Sequence, residues 1–193
     1  ACGIGDFVGK SFVLCMCLIL WAGGYMGKWR QEEEICRKWV SARLLYNTGA
    51  YKAANEAYGE LYPILKERGR FLFEYGHSLH KSLFYNESNK YLEEACWHST
   101  DPMVLNIMGK NYQELHNYEQ AENLFKRAIH RLPGRIYPYY LLTNLYAEPD
   151  FYNPDKLKEV ADIVLTKEPK VHSTAIKEMR SKVKEILEKI NMK

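Results

Sequence analysis

The sequence predicts an all-α helical-repeat solenoid of three to four helix pairs and a C-terminal capping helix, preceded by one hydrophobic helix. Three observations predict it. Small residues recur at Ala42, Gly76, Gly109 and Thr143, separated by 34, 33 and 34 residues, and a second series, Ala54, Ser88 and Ala121, keeps the same register. A fixed period of roughly 20 to 50 residues marks a stack of supersecondary units. Aromatic residues (15 Tyr, 7 Phe and 4 Trp) are spread between charged ones instead of filling one apolar core segment, a pattern that suits stacked amphipathic helices.

Composition narrows the function classes. With 47% hydrophobic and 26% charged residues over 193 positions, the chain can bury a core. A net charge of +3 is too small for a general nucleic-acid footprint, and no nucleic-acid partner is expected. Cys2, Cys15, Cys17, Cys36 and Cys96 form an odd set without a CxxC pair. Neither a disulfide framework nor a zinc site is suggested.

Residues 1–28 form the first predicted region. Ser11 to Gly27 is free of charge for 17 residues, bounded by Lys10 and by Lys28 and Arg30. That length is the lower limit for spanning hydrocarbon, and a membrane helix over residues 11–27 is the expectation. A cleaved signal segment, which would make the repeats a soluble exported protein, is the competitor. The start at Ala1 without Met suggests a fragment or a processed chain. Lys28, Arg30, Arg37 and Lys38 outnumber Lys10, which favours a cytoplasmic position for the repeats.

The repeats are expected over residues 29–170, in units near 35–68, 69–101, 102–135 and 136–170. The clearest begins at Pro102, with Leu105, Met108, Gly109, Tyr112, Tyr118, Ala121, Phe125, Ala128 and Pro133 in succession. These places resemble a tetratricopeptide repeat (TPR) in which Leu stands for the first Trp. Gly109 and Ala121 are small so that two antiparallel helices approach closely, and Pro133 ends the second helix. The preceding units repeat the plan in degenerate form: Leu72, Gly76, Leu79, Tyr85, Ser88, Leu92 and Ala95, and before them Ala42, Leu45, Gly49, Tyr51, Ala54, Tyr58 and Leu61. A fourth begins with Tyr139, Leu142, Thr143 and Tyr146 and is interrupted by AEPDFYNPD before a helix from about Lys156 to Lys167. In residues 171–193, Ile176, Met179, Val183, Ile186, Leu187 and Ile190 share one helical face opposite Lys and Glu, as a capping helix requires.

No catalytic motif emerges. His77 and His80 share a helical face, but no third ligand accompanies them and Glu74 falls on another side of the helix, so no metal site is expected. Glu32, Glu33 and Glu34 read as a solvated face. Phosphate loops, nucleophile elbows and paired carboxylates are missing from the sequence. No cofactor is expected.

The resemblance to tetratricopeptide repeats implies that the first helix of each unit lines an inner, ligand-facing surface. In this register the implied groove residues are Trp39, Arg43, Tyr46 and Asn47; Arg70, Phe73, His77, His80 and Lys81; Asn106, Lys110 and Gln113; and Tyr137, Tyr140 and Asn144. Cys36, Met103, Glu114 and Ala147 complete it. Aromatics and cations dominate, so the expected partner is a protein or peptide of acidic character, bound through charge-assisted hydrogen bonds. The alternative for each aromatic is packing between neighbouring units.

The stretches LYPILKERGRFLFEYGHSLHK, DPMVLNIMGKNYQEL, RLPGRIYPYYLLTNLY and TKEPKVHSTAIKEMR resemble the C-terminal tail of O-antigen ligase/polymerase-like membrane proteins of Bacteroides-type bacteria. That resemblance implies a parent at the bacterial inner membrane acting in surface polysaccharide assembly, with its catalytic loop in a membrane portion that has no counterpart here. No catalytic residue carries over. The expected function is a non-catalytic interaction scaffold that recruits a protein or the glycan machinery. The alternative is a glycosyltransferase tail whose aromatics contact glycan or lipid carrier.

Overall fold

The computed structural model describes residues 27–169 and 172–191. Among these every regular element is helical, and the helices come in pairs. Residues 27–47 form α1, and α2 spans Tyr51–Leu65. Then follow α3 (Gly69–Lys81) with α4 (Tyr85–His98), α5 (Pro102–Glu114) with α6 (Tyr118–Arg131), and α7 (Tyr137–Ala147) with α8 (Pro154–Thr166). The last is α9, Thr174–Asn191. Apart from Gly27, the expected membrane segment lies outside the described residues. Within them no helix is long and apolar enough to cross a membrane.

The chain divides into two compact units, with the boundary after Leu61 inside α2. In the first, Ala42 of α1 and Ala54 of α2 are fully buried. Between them Gly49 adopts φ +81°, and the amides of Gly49 and Ala50 bond the carbonyls of Tyr46 and Leu45. This is the left-handed helix end that glycine takes without a Cβ penalty. Glu33 and Glu34 pair with Arg37 and Lys38 one turn on, at 3.9 and 3.2 Å and well exposed, so the acidic run is a solvated helix face.

The second unit repeats one packing scheme. A Cβ on Gly76 of α3 would lie 2.6 Å from Leu92 Cγ of α4, and a Cβ on Gly109 of α5 would meet the ring of Phe125 of α6. The two glycines are 33 residues apart, and so are Leu92 and Phe125. Each pair closes because the first helix has no side chain where the large residue of the second must sit. The turn repeats as well: Leu83 (φ 66°) and His116 (φ 57°) take the left-handed place that Gly49 takes in the first unit, at intervals of 34 and 33.

The final pair departs from this scheme. The segment between α7 and α8 is a short 3₁₀ turn, Pro149–Phe151, and Asn153 caps α8 by accepting from the Lys156 amide at 3.0 Å. Glu122 of α6 ties the insertion down, accepting from Lys126 Nζ (2.6 Å), Tyr146 Oη (2.6 Å) and Lys156 Nζ (3.0 Å). One carboxylate thus joins α6, α7 and α8. Burial alone would raise its pKa, but the donors outweigh it and bring Glu122 down to about 2. Helix α9 packs Val183, Ile186, Leu187 and Ile190 against α7 and α8. Its Arg180 donates to the Val164 carbonyl at 3.0 Å and the Lys167 carbonyl at 2.6 Å, at the end of α8. A cation there satisfies carbonyls that the helix leaves open.

Candidate functional site

In the second unit the first helices of successive pairs touch, α3 to α5 and α5 to α7. Of the expected groove residues, Arg70, Phe73, His77, His80 and Lys81 lie on α3, Asn106, Lys110 and Gln113 on α5, and Tyr137, Tyr140 and Asn144 on α7. Along α3, Phe73, His77 and His80 fall at helical spacing and their rings form a row. Phe73 and His77 centroids are 5.7 Å apart, His77 and His80 5.9 Å and stacked, and Tyr85 continues the row 5.9 Å from His80.

The two histidines differ in role. His80 is 8% exposed and its Nδ1 lies 2.6 Å from Asn111 Oδ1. An amide oxygen only accepts, so Nδ1 carries the proton. Asn111 Nδ2 donates to Ser88 Oγ and to Asn89 Oδ1, both at 2.8 Å, and Ser88 Oγ donates to the Gly76 carbonyl at 2.6 Å. This buried network fastens α3, α4 and α5 together. His80, expected to face a ligand, is therefore a scaffold residue. Burial above all brings both His77 and His80 down to about 4; at His77 the His80 ring and then Lys81 and Lys110 add to it, and at His80 the Asn111 hydrogen bond opposes it while Lys110 and Lys81 add. At neutral pH both rings are uncharged.

The charge on this part of the face comes from Lys81 and Lys110. Lys81 is exposed and Lys110 half-buried, and both lie close enough to His77 and His80 to lower their pKa. Burial, followed by repulsion from Lys81, lowers the Lys110 pKa, with Glu114 opposing. Neither lysine forms an ion pair among the described residues. Arg70, by contrast, donates to Glu74 at 3.1 Å, and its charge is spent within its own helix.

Between α5 and α7 the face opens into a cavity of about 400 Å³ lined by Lys110, Gln113, Glu114, Leu141, Asn144, Ala147 and Glu148. Gln113 Nε2 donates to Glu148 Oε1 at 2.8 Å. Of the expected groove residues, Lys110, Gln113 and Asn144 line this cavity. Leu141 and Glu148 are the lining residues that sequence reasoning missed, and Glu148 is the charged one. It sits in the turn-rich interruption of the fourth unit, where the repeat pattern stops being readable.

Other expected groove residues sit elsewhere. Asn106 is 3% exposed inside the packing of α5, with its Oδ1 unpartnered. Tyr137 and Tyr140 stack on each other at 6.4 Å and pack against the buried cluster of α6, α7 and α8, Tyr140 also against the one that holds Val183 of α9, while Tyr137 also lines a cavity of about 660 Å³ with Ile176 and Met179 of α9. Trp39, Arg43, Tyr46 and Asn47 belong to the first unit. There the Arg43 guanidinium lies 5.3 Å from the Trp39 ring centroid, and Tyr46 approaches Tyr51 at 5.7 Å. Among the described residues no group of three or more His, Cys, Asp or Glu side chains is placed to hold a metal ion.

No protein-family profile matches the sequence, and no curated protein matches it. Solved structures do match. PilF of Pseudomonas aeruginosa is similar with a TM-score of 0.60 at 16% identity, over 80% of this chain and 69% of that one. The nearly identical TPR-like repeats of a Podospora anserina kinesin light chain give 0.56 at 14% identity, over 82% and 94%. The Yersinia enterocolitica type III secretion chaperone SycD, solved with a peptide of the translocator YopD, gives 0.53 at 13% identity, over 66% and 92%. At these identities the likeness is one of fold: the described residues form an all-helical TPR-like repeat.

Proposed function

We propose that the chain is a non-catalytic TPR-like scaffold that binds an acidic, extended segment of another protein along the face of α3 and α5. The observation that carries this reading is the packing of α3 on α5, which brings Lys81 and Lys110 to the same side as His77, with neither ammonium in an ion pair among the described residues and Glu114 the one acid acting on Lys110. Two like charges held together, one partly desolvated, are destabilising unless an anion joins them, and a ligand carboxylate is such an anion. The row of Phe73 and His77 beside them offers flat apolar surface to the same segment. SycD, of the same fold, is solved with a peptide, which supports this mode of use.

The membrane context belongs to the same proposal. Its supports are the uncharged run of residues 11–27, the basic residues after it, and the sequence resemblance to tails of O-antigen ligase/polymerase-like proteins. In that reading the scaffold sits on the cytoplasmic side of a bacterial inner membrane and serves surface polysaccharide assembly. Membrane fractionation and protease protection of the full chain test this part separately.

The binding part is tested by probing an array of immobilised dodecapeptides, acidic and neutral, with the labelled full chain. Acidic peptides are expected to be captured, and Lys81→Glu combined with Lys110→Glu to abolish the capture. Equal capture by wild type and double variant would refute the reading.

A further inference from the structure

The same face carries opposite charge one helix further on. Glu114 ends α5, Glu148 follows α7, and Asp150 comes two residues later. The phenol of Tyr118 registers the last two: burial, then Asp150, then Glu148 raise its pKa. Glu148 is held in place by Gln113 and, like Glu114, forms no ion pair with a cation among the described residues. Beside these carboxylates the cavity lining includes the apolar Leu141 and Ala147 and the Asn144 amide.

We infer that the cavity between α5 and α7 receives a lysine or arginine side chain of the bound segment, so that the partner carries an acidic residue followed by a basic one. This rests on the reading of the face as a peptide site. A long cationic side chain has a methylene stem and a charged head, and it settles where an apolar floor lies beneath acceptors. Leu141 and Ala147 supply apolar lining, Glu148 the charge, and the Gln113 bond fixes the orientation of Glu148 in advance. Lys110 also lines the cavity, but Glu114 opposes its charge and is hydrogen-bonded to the Tyr85 phenol, so the carboxylate left for a ligand cation is that of Glu148.

The spacing of the two ligand residues follows from the packing. The acid sits between α3 and α5 and the base between α5 and α7, one helix apart, and packed helices are about 8–10 Å apart. An extended chain advances about 3.3 Å per residue. The base is therefore expected about three residues from the acid.

The test is an array of dodecapeptides on an alanine–serine background, each with one Glu and one Lys at every spacing and in both orders, probed with the full chain. Capture is expected to peak with Lys about three residues from Glu, and Lys→Ala in the peptide to weaken binding by about fivefold, the upper range of an exposed ion pair. In Glu148→Gln that preference for Lys disappears while the preference for Glu remains. Glu148→Lys reverses it, so that a second Glu is preferred at the same place. A preference for Glu without any for Lys, or one for Lys that Glu148→Gln leaves intact, overturns the inference and leaves the acidic-segment reading standing. Capture with neither preference overturns both.

Discussion

His80 Nδ1 on α3 donates a hydrogen bond to Asn111 Oδ1 on α5 across 2.6 Å, and through Asn111 it reaches Ser88 and Asn89 of α4. A histidine at a ligand-facing register thus holds the scaffold that presents its neighbours. Removing the Asn111 amide leaves several buried polar groups without partners, each costing about 1–3 kcal/mol. Asn111→Ala is expected to destabilise the fold by about 2–4 kcal/mol, read as a lower urea midpoint.

Acid sensitivity follows from the same pair. The unfolded imidazole titrates near 6.5 and the folded His80 near 4. Below about pH 6.5 the unfolded chain binds a proton that the folded one refuses, so stability falls as the pH drops toward 4 and then levels. His80 alone contributes a loss on the order of 3 kcal/mol, and His77 adds to it. Above pH 6.5 this contribution vanishes, so peptide affinity is expected to stay flat from pH 7 to 8. Urea titrations at stepped pH check the first statement, and anisotropy titrations the second.

Glu122 acts lower on the pH scale. Its folded pKa is about 2, so the stability it supplies is complete above its unfolded value near 4.5 and lost as the pH falls toward 2. Glu122→Gln keeps the shape but removes the charge that holds Lys126 and Lys156. A loss of about 1–3 kcal/mol is expected, with hydrogen exchange rising first in α8 and the 3₁₀ turn.

Two glycines test the packing scheme, and one leucine the turn. Gly109→Ala places a methyl group against the Phe125 ring, and Gly76→Ala places one against Leu92. Each is expected to cost about 1–3 kcal/mol. Leu83 sits at φ 66° with its side chain 69% exposed, where glycine carries no Cβ penalty. Leu83→Gly is expected to stabilise by about 0.5–1 kcal/mol, measured against the same urea midpoint.

The contrast between Gly109 and Glu148 shows what the sequence could reveal. Gly109, Phe125, Ala121 and their counterparts each answer to one local requirement, close approach of two helices, so the 33–34-residue period is printed directly in the residues. The residues of the face answer to more than one requirement. His80 and Asn106 occupy ligand-facing places in the register, yet both are buried, because on α3 and α5 the neighbouring pair covers part of that side. Tyr140 packs against the cluster that includes Val183 of α9, a helix the repeat pattern does not describe. Glu148 could not be found by period at all, since the interruption after α7 has no counterpart in the other units. Lys81 and Lys110 were legible as cations, but not that the packing of α3 on α5 lets Lys81 act on Lys110, which depends on how two units of the repeat meet.

The central claim is that Lys81 and Lys110 together hold a carboxylate of a peptide partner. Its most direct measurement is the affinity of the full chain for the best acidic array peptide, by fluorescence anisotropy, for wild type and for Lys81→Glu/Lys110→Glu. The account predicts at least a tenfold weaker affinity in the double variant, with unchanged helicity, and a wild-type affinity that falls with added salt. Equal affinities for the two proteins, insensitive to salt, would contradict it.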